Sequence, residues 1–259
     1  MLGALGVTGC RLTPLADRDW APELARMAGA DFDGPWVHVH NVRDSNYRSD
    51  TDFDLRFEER TYDLTKLDSV DYILVPLSGL PKVAHTFVSF GFRGQDYLAI
   101  SIEVRRLRGQ PFQPLYNFIN ENEIIYIAGD ERDLIRLRSN FRKDDVYVYR
   151  AKLSPNQCQA LFVDMLQRAN QLSVKPEFYN TLTNNCETNL IAHLNHVLPD
   201  KIPYNYEVLF PGLSDRLLYD RGLIQKAGTF AETRSTARIN HMAELHPNSP
   251  DFSQQIRRF

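Results

Sequence analysis

Val83-Ala-His85-Thr-Phe-Val-Ser-Phe-Gly-Phe92, then Arg93-Gly94-Gln95-Asp96, then Tyr97-Leu-Ala-Ile-Ser101-Ile-Glu103-Val104, read as two strands joined by a tight turn. Both runs are dense in β-branched and aromatic residues, and Gly94 offers a positive-φ position for the turn. The two-residue period of a strand groups His85 with Val83, Phe87 and Ser89. On the second strand it groups Tyr97, Ala99, Ser101 and Glu103 on one face, and Leu98, Ile100, Ile102 and Val104 on the other, the expected core face. A three-residue loop sets Phe92 opposite Asp96 and His85 opposite Glu103. A two-residue loop shifts the pairing by one and brings Val104 opposite His85 instead.

Working outward, strands are also expected at Trp36 to Val42, Val70 to Leu77, Glu123 to Ala128 and Val146 to Leu153. Helices bracket them. Ser154-Pro155-Asn156-Gln157 is a helix start with a capping serine, a proline at the first position and a glutamine at the third. Cys158, Leu161, Phe162, Met165, Leu166, Ala169 and Leu172 follow at helical spacing, so Cys158 is read as a buried core residue. Shorter helices are expected at Trp20 to Met27, Asp130 to Arg138 and Cys186 to Val197. The fold class is therefore α+β, an antiparallel sheet packed against helices. Residues 1–35 read as an N-terminal arm, 36–228 as the main domain and 229–259 as a loosely packed helical tail.

Composition narrows the function. The 259 residues are 43% hydrophobic and 24% charged, which suits a globular protein with one large core. Thirty basic against 33 acidic residues give a net charge of −3, without the basic footprint of a nucleic-acid binder. No apolar run reaches the roughly 20 residues that span a bilayer. Three scattered cysteines, Cys10, Cys158 and Cys186, make neither a disulfide framework nor a thiolate zinc site. Cys10 follows small residues as the lipidated cysteine of bacterial lipoproteins does, but the apolar stretch before it is shorter than a signal peptide needs and has no basic start. Two readings stay open there: a lipid-anchored Cys10, or a plain N-terminal extension.

The segment richest in chemistry is Tyr179-Asn-Thr-Leu-Thr-Asn-Asn-Cys186-Glu-Thr-Asn-Leu-Ile-Ala-His193-Leu-Asn-His196. A polar, capping-type run meets an apolar periodic stretch directly after Cys186, so a helix begins at the cysteine. Helix-end amides favour a thiolate there and can hold the oxyanion that forms when it attacks a carbonyl. Cys186, His85 and Glu103 then make a nucleophile, a base and an orienter, with Ser101 as the alternative orienter. Arg105, with Arg106 and Arg108, follows the orienter strand and can bind a substrate phosphate or carboxylate. Asn41 and Arg43 can line the site or cap a strand, and Tyr179 and Asn185 can donate to an oxyanion or cap the helix. His193 and His196 suggest a metal only if an acidic or thiolate ligand joins them, and no such motif is evident, so neither metal nor cofactor is expected.

A histidine on a strand, a polar residue on the next strand and a cysteine opening a much later helix resemble the circularly permuted papain-like fold of the NlpC/P60 and lecithin:retinol acyltransferase group. Val39-His-Asn41-Val-Arg43-Asp44, Ala84-His85-Thr-Phe, Ser101-Ile-Glu103-Val-Arg105, Asp130-Glu131-Arg132-Asp133 and Phe178-Tyr179-Asn180-Thr-Leu-Thr-Asn184-Asn185-Cys186 are similar to the periplasmic domain family of Lnb, the bacterial lipoprotein N-acyltransferase. The resemblance spans about residues 36 to 225. Cys186 is followed by Glu where many relatives have Thr, and the family's membrane-spanning segments are lacking. It implies a periplasmic or envelope location, an acyl-thioester on Cys186, a lipoprotein or phospholipid-like acyl substrate, and peripheral membrane contact. The alternatives are a cell-wall peptidase or amidase with the same apparatus, and a noncatalytic envelope binding module.

Overall fold

The computed structural model describes residue 14 and residues 17–93, 96–111 and 122–258. Cys10 and the turn residues Gly94 and Gln95 lie outside the described residues. Ten strands form: β1 (Gly29–Asp33), β2 (Trp36–Arg43), β3 (Asn46–Tyr47), β4 (Phe53–Asp54), β5 (Phe57–Asp63), β6 (Leu67–Leu77), β7 (Leu80–Phe92), β8 (Asp96–Arg105), β9 (Glu123–Gly129) and β10 (Tyr147–Arg150). The α-helices are α1 (Glu131–Arg136), α2 (Pro155–Val174), α3 (Cys186–Val197), α4 (Tyr206–Leu209), α5 (Ser214–Asp220), α6 (Phe230–Ala237), α7 (Asn240–Leu245) and α8 (Phe252–Gln255).

Eight strands make one sheet in the order β1-β2-β9-β8-β7-β6-β10, with β5 also paired to β2. Its ladders are antiparallel except for one parallel pair, Arg43 with Gly129, so the sheet is mixed where a purely antiparallel one was expected. The β7–β8 ladder pairs Phe92 with Asp96 and Phe87 with Ser101, the register of the three-residue loop.

Alternation along β7, β8 and β9 sends side chains into two apolar layers. Val88, Phe90, Leu98, Ile100, Ile102 and Tyr126 pack with α2 and α3, whereas Phe87, Ala99, Ile125 and Ile127 pack with Leu134 and Ile135 of α1, Ala243 of α7 and Phe252 of α8. The expectation of a single core face is thereby corrected. Ala99 and Ser101, on the face opposite Leu98, are fully buried. A sheet covered on both sides carries apolar residues at both phases, so alternation alone does not reveal which side is solvated.

Both chain ends are more ordered than expected. Within residues 1–35, Gly29–Asp33 is an edge strand, and the expected helix from Trp20 shrinks to the 3-10 turn Pro22–Leu24. In the segment expected to pack loosely, Ile239, Ala243, Phe252 and Ile256 are all but inaccessible. Arg257 bonds Asp71 at 2.7 Å and Glu131 at 2.5 and 2.8 Å. The expected strand to Leu153 stops at Arg150, where Ala151 turns to bridge Ile224.

Candidate active site

Asn185 sets the start of α3. Its backbone is extended (φ −119°), its side chain accepts from the Thr188 N–H at 2.8 Å, and the Thr188 hydroxyl accepts from the Asn185 N–H at 2.9 Å. This reciprocal cap makes Cys186 the first helical residue, 6% exposed, with the positive end of the helix dipole around it. Asn185 also donates to the Thr181 carbonyl at 2.5 Å, so its side chain is committed to the cap rather than to an oxyanion.

On β7, His85 Nε2 stands 2.8 Å from Ser101 Oγ and 3.1 Å from Glu103 Oε1. Ser101 gives its own proton to Glu103 Oε1 at 2.7 Å, because a carboxylate only accepts. The serine oxygen is thus left to accept from Nε2–H. In the neutral ring that arrangement fixes the tautomer: Nε2 carries the proton, and Nδ1 keeps the lone pair. Cys186 is near enough to the imidazole to help raise its pKa. Burial works against the imidazolium, but the Glu103 carboxylate and the neighbouring Cys186 together outweigh burial and the opposing charge of Arg138, and the pKa of His85 is pushed up to about 9. Burial likewise opposes the Glu103 anion, yet His85, Arg138 and Ser101 together hold its carboxyl well below the usual range.

Arg138 was missed in the sequence. Its Nη2 reaches Glu103 Oε1 at 2.8 Å, and its guanidinium lies 4.9 Å from the centre of the Phe87 ring. It projects from a single wide π-turn, Leu137–Phe141, that ends α1 and shortens the helix expected to run to Arg138. Such turns displace a side chain from its regular helical position and recur at functional sites. Tyr179 closes the other side. Burial, and then the proximity of Cys186 and Glu103, lift its phenol well above the ordinary tyrosine value. Next to the thiol, Glu187 is fully buried, accepts from the Tyr72 hydroxyl at 2.9 Å, and is raised by burial to about 7. Cys158, by contrast, is sealed in the core, and burial pushes its thiol up to about 11.

The remaining sequence candidates are held by internal bonds. Arg105 donates to the carbonyls of Leu24 at 3.1 Å and Ala25 at 2.8 Å and to Glu123 at 3.2 Å, and stacks 4.4 Å from the Trp20 ring, clamping the N-terminal segment to β8. Asn41, at φ 56°, occupies the bulge of β2 and donates to the Met27 carbonyl at 3.0 Å. Arg43 forks onto Asp133 at 2.8 to 3.1 Å, and the same carboxylate accepts from the Ser45 N–H and the Tyr47 hydroxyl. Asp133→Ala leaves a buried, unpaired guanidinium and is expected to cost about 3 to 5 kcal/mol. Urea unfolding measures this. A loss below about 1 kcal/mol would show that Arg43 is not tied down and is available to a ligand.

Residues 54–212 match the family model described as the Lnb N-terminal periplasmic domain. The chain belongs to this family. The matched region of the Lnb domain runs from β5 through α4 and contains His85, Ser101, Glu103, Arg138, Tyr179 and Cys186. Membership supports a periplasmic or envelope location and a lipoprotein-related role. No curated protein and no solved structure matches the chain. Among the described residues, no helix is long and apolar enough to cross a membrane.

Proposed function

We propose that this Lnb domain is a thiol acyltransferase of permuted papain-like type, with Cys186 as nucleophile, His85 as acid and base, and Glu103 as orienter. The observation that supports the reading is the setting of His85: Nε2 is held by Ser101 and Glu103, and Cys186, which opens α3, is close enough to shift the ring's pKa. With the Cys186 proton already held by His85, Sγ attacks an ester carbonyl as the thiolate. His85 then returns it to the departing alkoxide, leaving an acyl-thioester and a free alcohol. An amine attacks the thioester next, loses its proton to His85, and expels the Cys186 thiolate as the amide forms. In the Lnb-like case the donor is the sn-2 ester of a lipoprotein's diacylglyceryl group and the acceptor is that lipoprotein's N-terminal amine.

A lipid donor is favoured over a peptide by a set of exposed apolar side chains. Leu80, Leu182, Tyr204, Tyr206 and Phe210 are all more than 40% exposed, an apolar set on the segments that lead into β7 and α3. Tyr204 donates its hydroxyl to the Leu182 carbonyl, and Lys82 lies 5.9 Å from the Phe210 ring centre, so these segments border one another. Gly212 makes that contact feasible, since a Cβ there would fall 2.0 Å from the Pro81 carbonyl.

Incubation with a diacylated lipoprotein followed by intact-mass measurement is expected to show one acyl chain added to Cys186. Absence of the adduct together with lyso-lipoprotein formation that does not need Cys186 would refute the mechanism. Tyr179, whose phenol stays protonated, is placed to donate to the oxyanion. Tyr179→Phe is expected to lower kcat about 10²-fold with little change in KM; an unchanged kcat removes Tyr179 from that role.

A further inference from the structure

The two histidines left without an acidic partner in the sequence acquire one in the fold. Asp164 of α2 places Oδ2 2.6 Å from His193 Nδ1 and 2.9 Å from His196 Nδ1. The i, i+3 spacing aligns the histidines on one side of α3. All three ligand atoms lie within 4.8 Å of one another. They sit in the last turns of α3, where the carbonyl end of the helix dipole favours a cation. His193 is buried, whereas the His196 side chain is 65% exposed and opens to the cleft between α2 and α3.

The hydrogen bonds behind His193 determine what its Nδ1 presents. Asn189 Nδ2 donates to Asn184 Oδ1 at 2.8 Å and to the Asn185 carbonyl at 2.9 Å, which turns Asn189 Oδ1 toward β9. Tyr126 gives that oxygen its only proton, at 3.2 Å. The Tyr126 oxygen then accepts from His193 Nε2–H at 2.7 Å. In a neutral ring Nδ1 therefore carries a lone pair, and it faces a carboxylate oxygen at 2.6 Å. With the Tyr126 proton on Asn189 rather than on Nε2, ring nitrogen and carboxylate are both acceptors, the arrangement that a metal ion bridges.

We infer that Asp164, His193 and His196 form a divalent metal site of the zinc class, with water completing a tetrahedron. Two imidazoles and one carboxylate suit zinc, at about 2.0 to 2.2 Å per ligand, with the fourth position open. Tyr126 orients His193 as partners in the outer shell of metal sites do. Opening the three atoms to the roughly 3.3 Å spacing of such a tetrahedron needs only small rotations, which the exposed His196 permits. The ion pins α3 to α2, and through Asn189 it is tied to the Asn185 cap beside Cys186.

Zinc titration of the full chain by calorimetry tests this, run in parallel on Cys186→Ala so that metal held by the thiol is not counted. One zinc per chain is expected in both proteins, with a zinc-dependent rise in Tm. His196→Ala, an exposed change that leaves the fold intact, and Asp164→Asn are each expected to weaken binding at least about tenfold, and Tyr126→Phe about tenfold. Cobalt in place of zinc is expected to give visible d–d absorption that His196→Ala removes. Absence of zinc binding, or binding and cobalt spectra unchanged in both His196→Ala and Asp164→Asn, overturns the inference.

Discussion

Cys186→Ala is expected to lower lyso-lipoprotein production by at least about 10⁴-fold and to abolish the acyl-enzyme. The size follows from what remains. Ser101 is the nearest other hydroxyl to the imidazole, but it bonds Nε2 and has already given its proton to Glu103, so it offers no activated oxygen to a carbonyl. His85→Ala is expected to fall almost as far, because thiol and imidazole act as one unit. For the same reason the double substitution should be no worse than Cys186→Ala alone. Residual activity within tenfold of wild type in Cys186→Ala, in protein with an unchanged urea midpoint, would eliminate the thioester route. The noncatalytic reading makes the opposite forecast: no acyl adduct in wild type, and lipoprotein binding indifferent to either substitution.

The second large effect is expected at Glu103→Gln, which preserves size but removes the anion. The amide holds the ring less firmly and stabilises the imidazolium less, so kcat is expected to fall about 10² to 10⁴-fold. The pH profile separates this role from a structural one. In the wild type His85 keeps its proton until about pH 9, so protonation of the leaving alkoxide fails as pH rises through that value. The raised value comes mainly from the Glu103 anion, with a smaller contribution from Cys186, acting against burial and Arg138. Removing the anion takes away the largest raising effect and leaves burial and Arg138 opposed by Cys186 alone, so the alkaline limb is expected to move to lower pH. If kcat falls while the limb stays in place, Glu103 is not what charges the ring.

How much of this was readable in the residues depends on how local each signal was. The β7–β8 hairpin and the start of α3 carry their own grammar: alternation, a glycine-bearing turn, and an asparagine cap before an apolar stripe. Those signals left two registers open, of which the structure has the one that brings His85 to the Glu103 side, and they placed Cys186 at the helix end where it is found. Arg138 gave no local sign, because its partner is 35 residues away on β8 and a π-turn leaves no mark in the sequence pattern. Arg105 and Arg43 looked available because a sequence displays a charge without the Glu123 or Asp133 that occupies it. Asp164 was one polar position on a helix read for its apolar side, and only the packing of α2 on α3 brings it to His193. The strands β1 and β5 escaped because they are short and largely polar, edge elements whose pairing comes from β2 rather than from their own composition.

The register between β7 and β8 places a further demand on the gene. Imidazole and carboxylate face each other only because of how many amino acids make the bend between the strands, none of which need touch a substrate. Losing a single codon there would turn the other side of β8 toward His85 and offer it Val104 in exchange for an acid, and gaining one would offer it Ile102. Every reactive letter would survive such a change, and the chemistry would not.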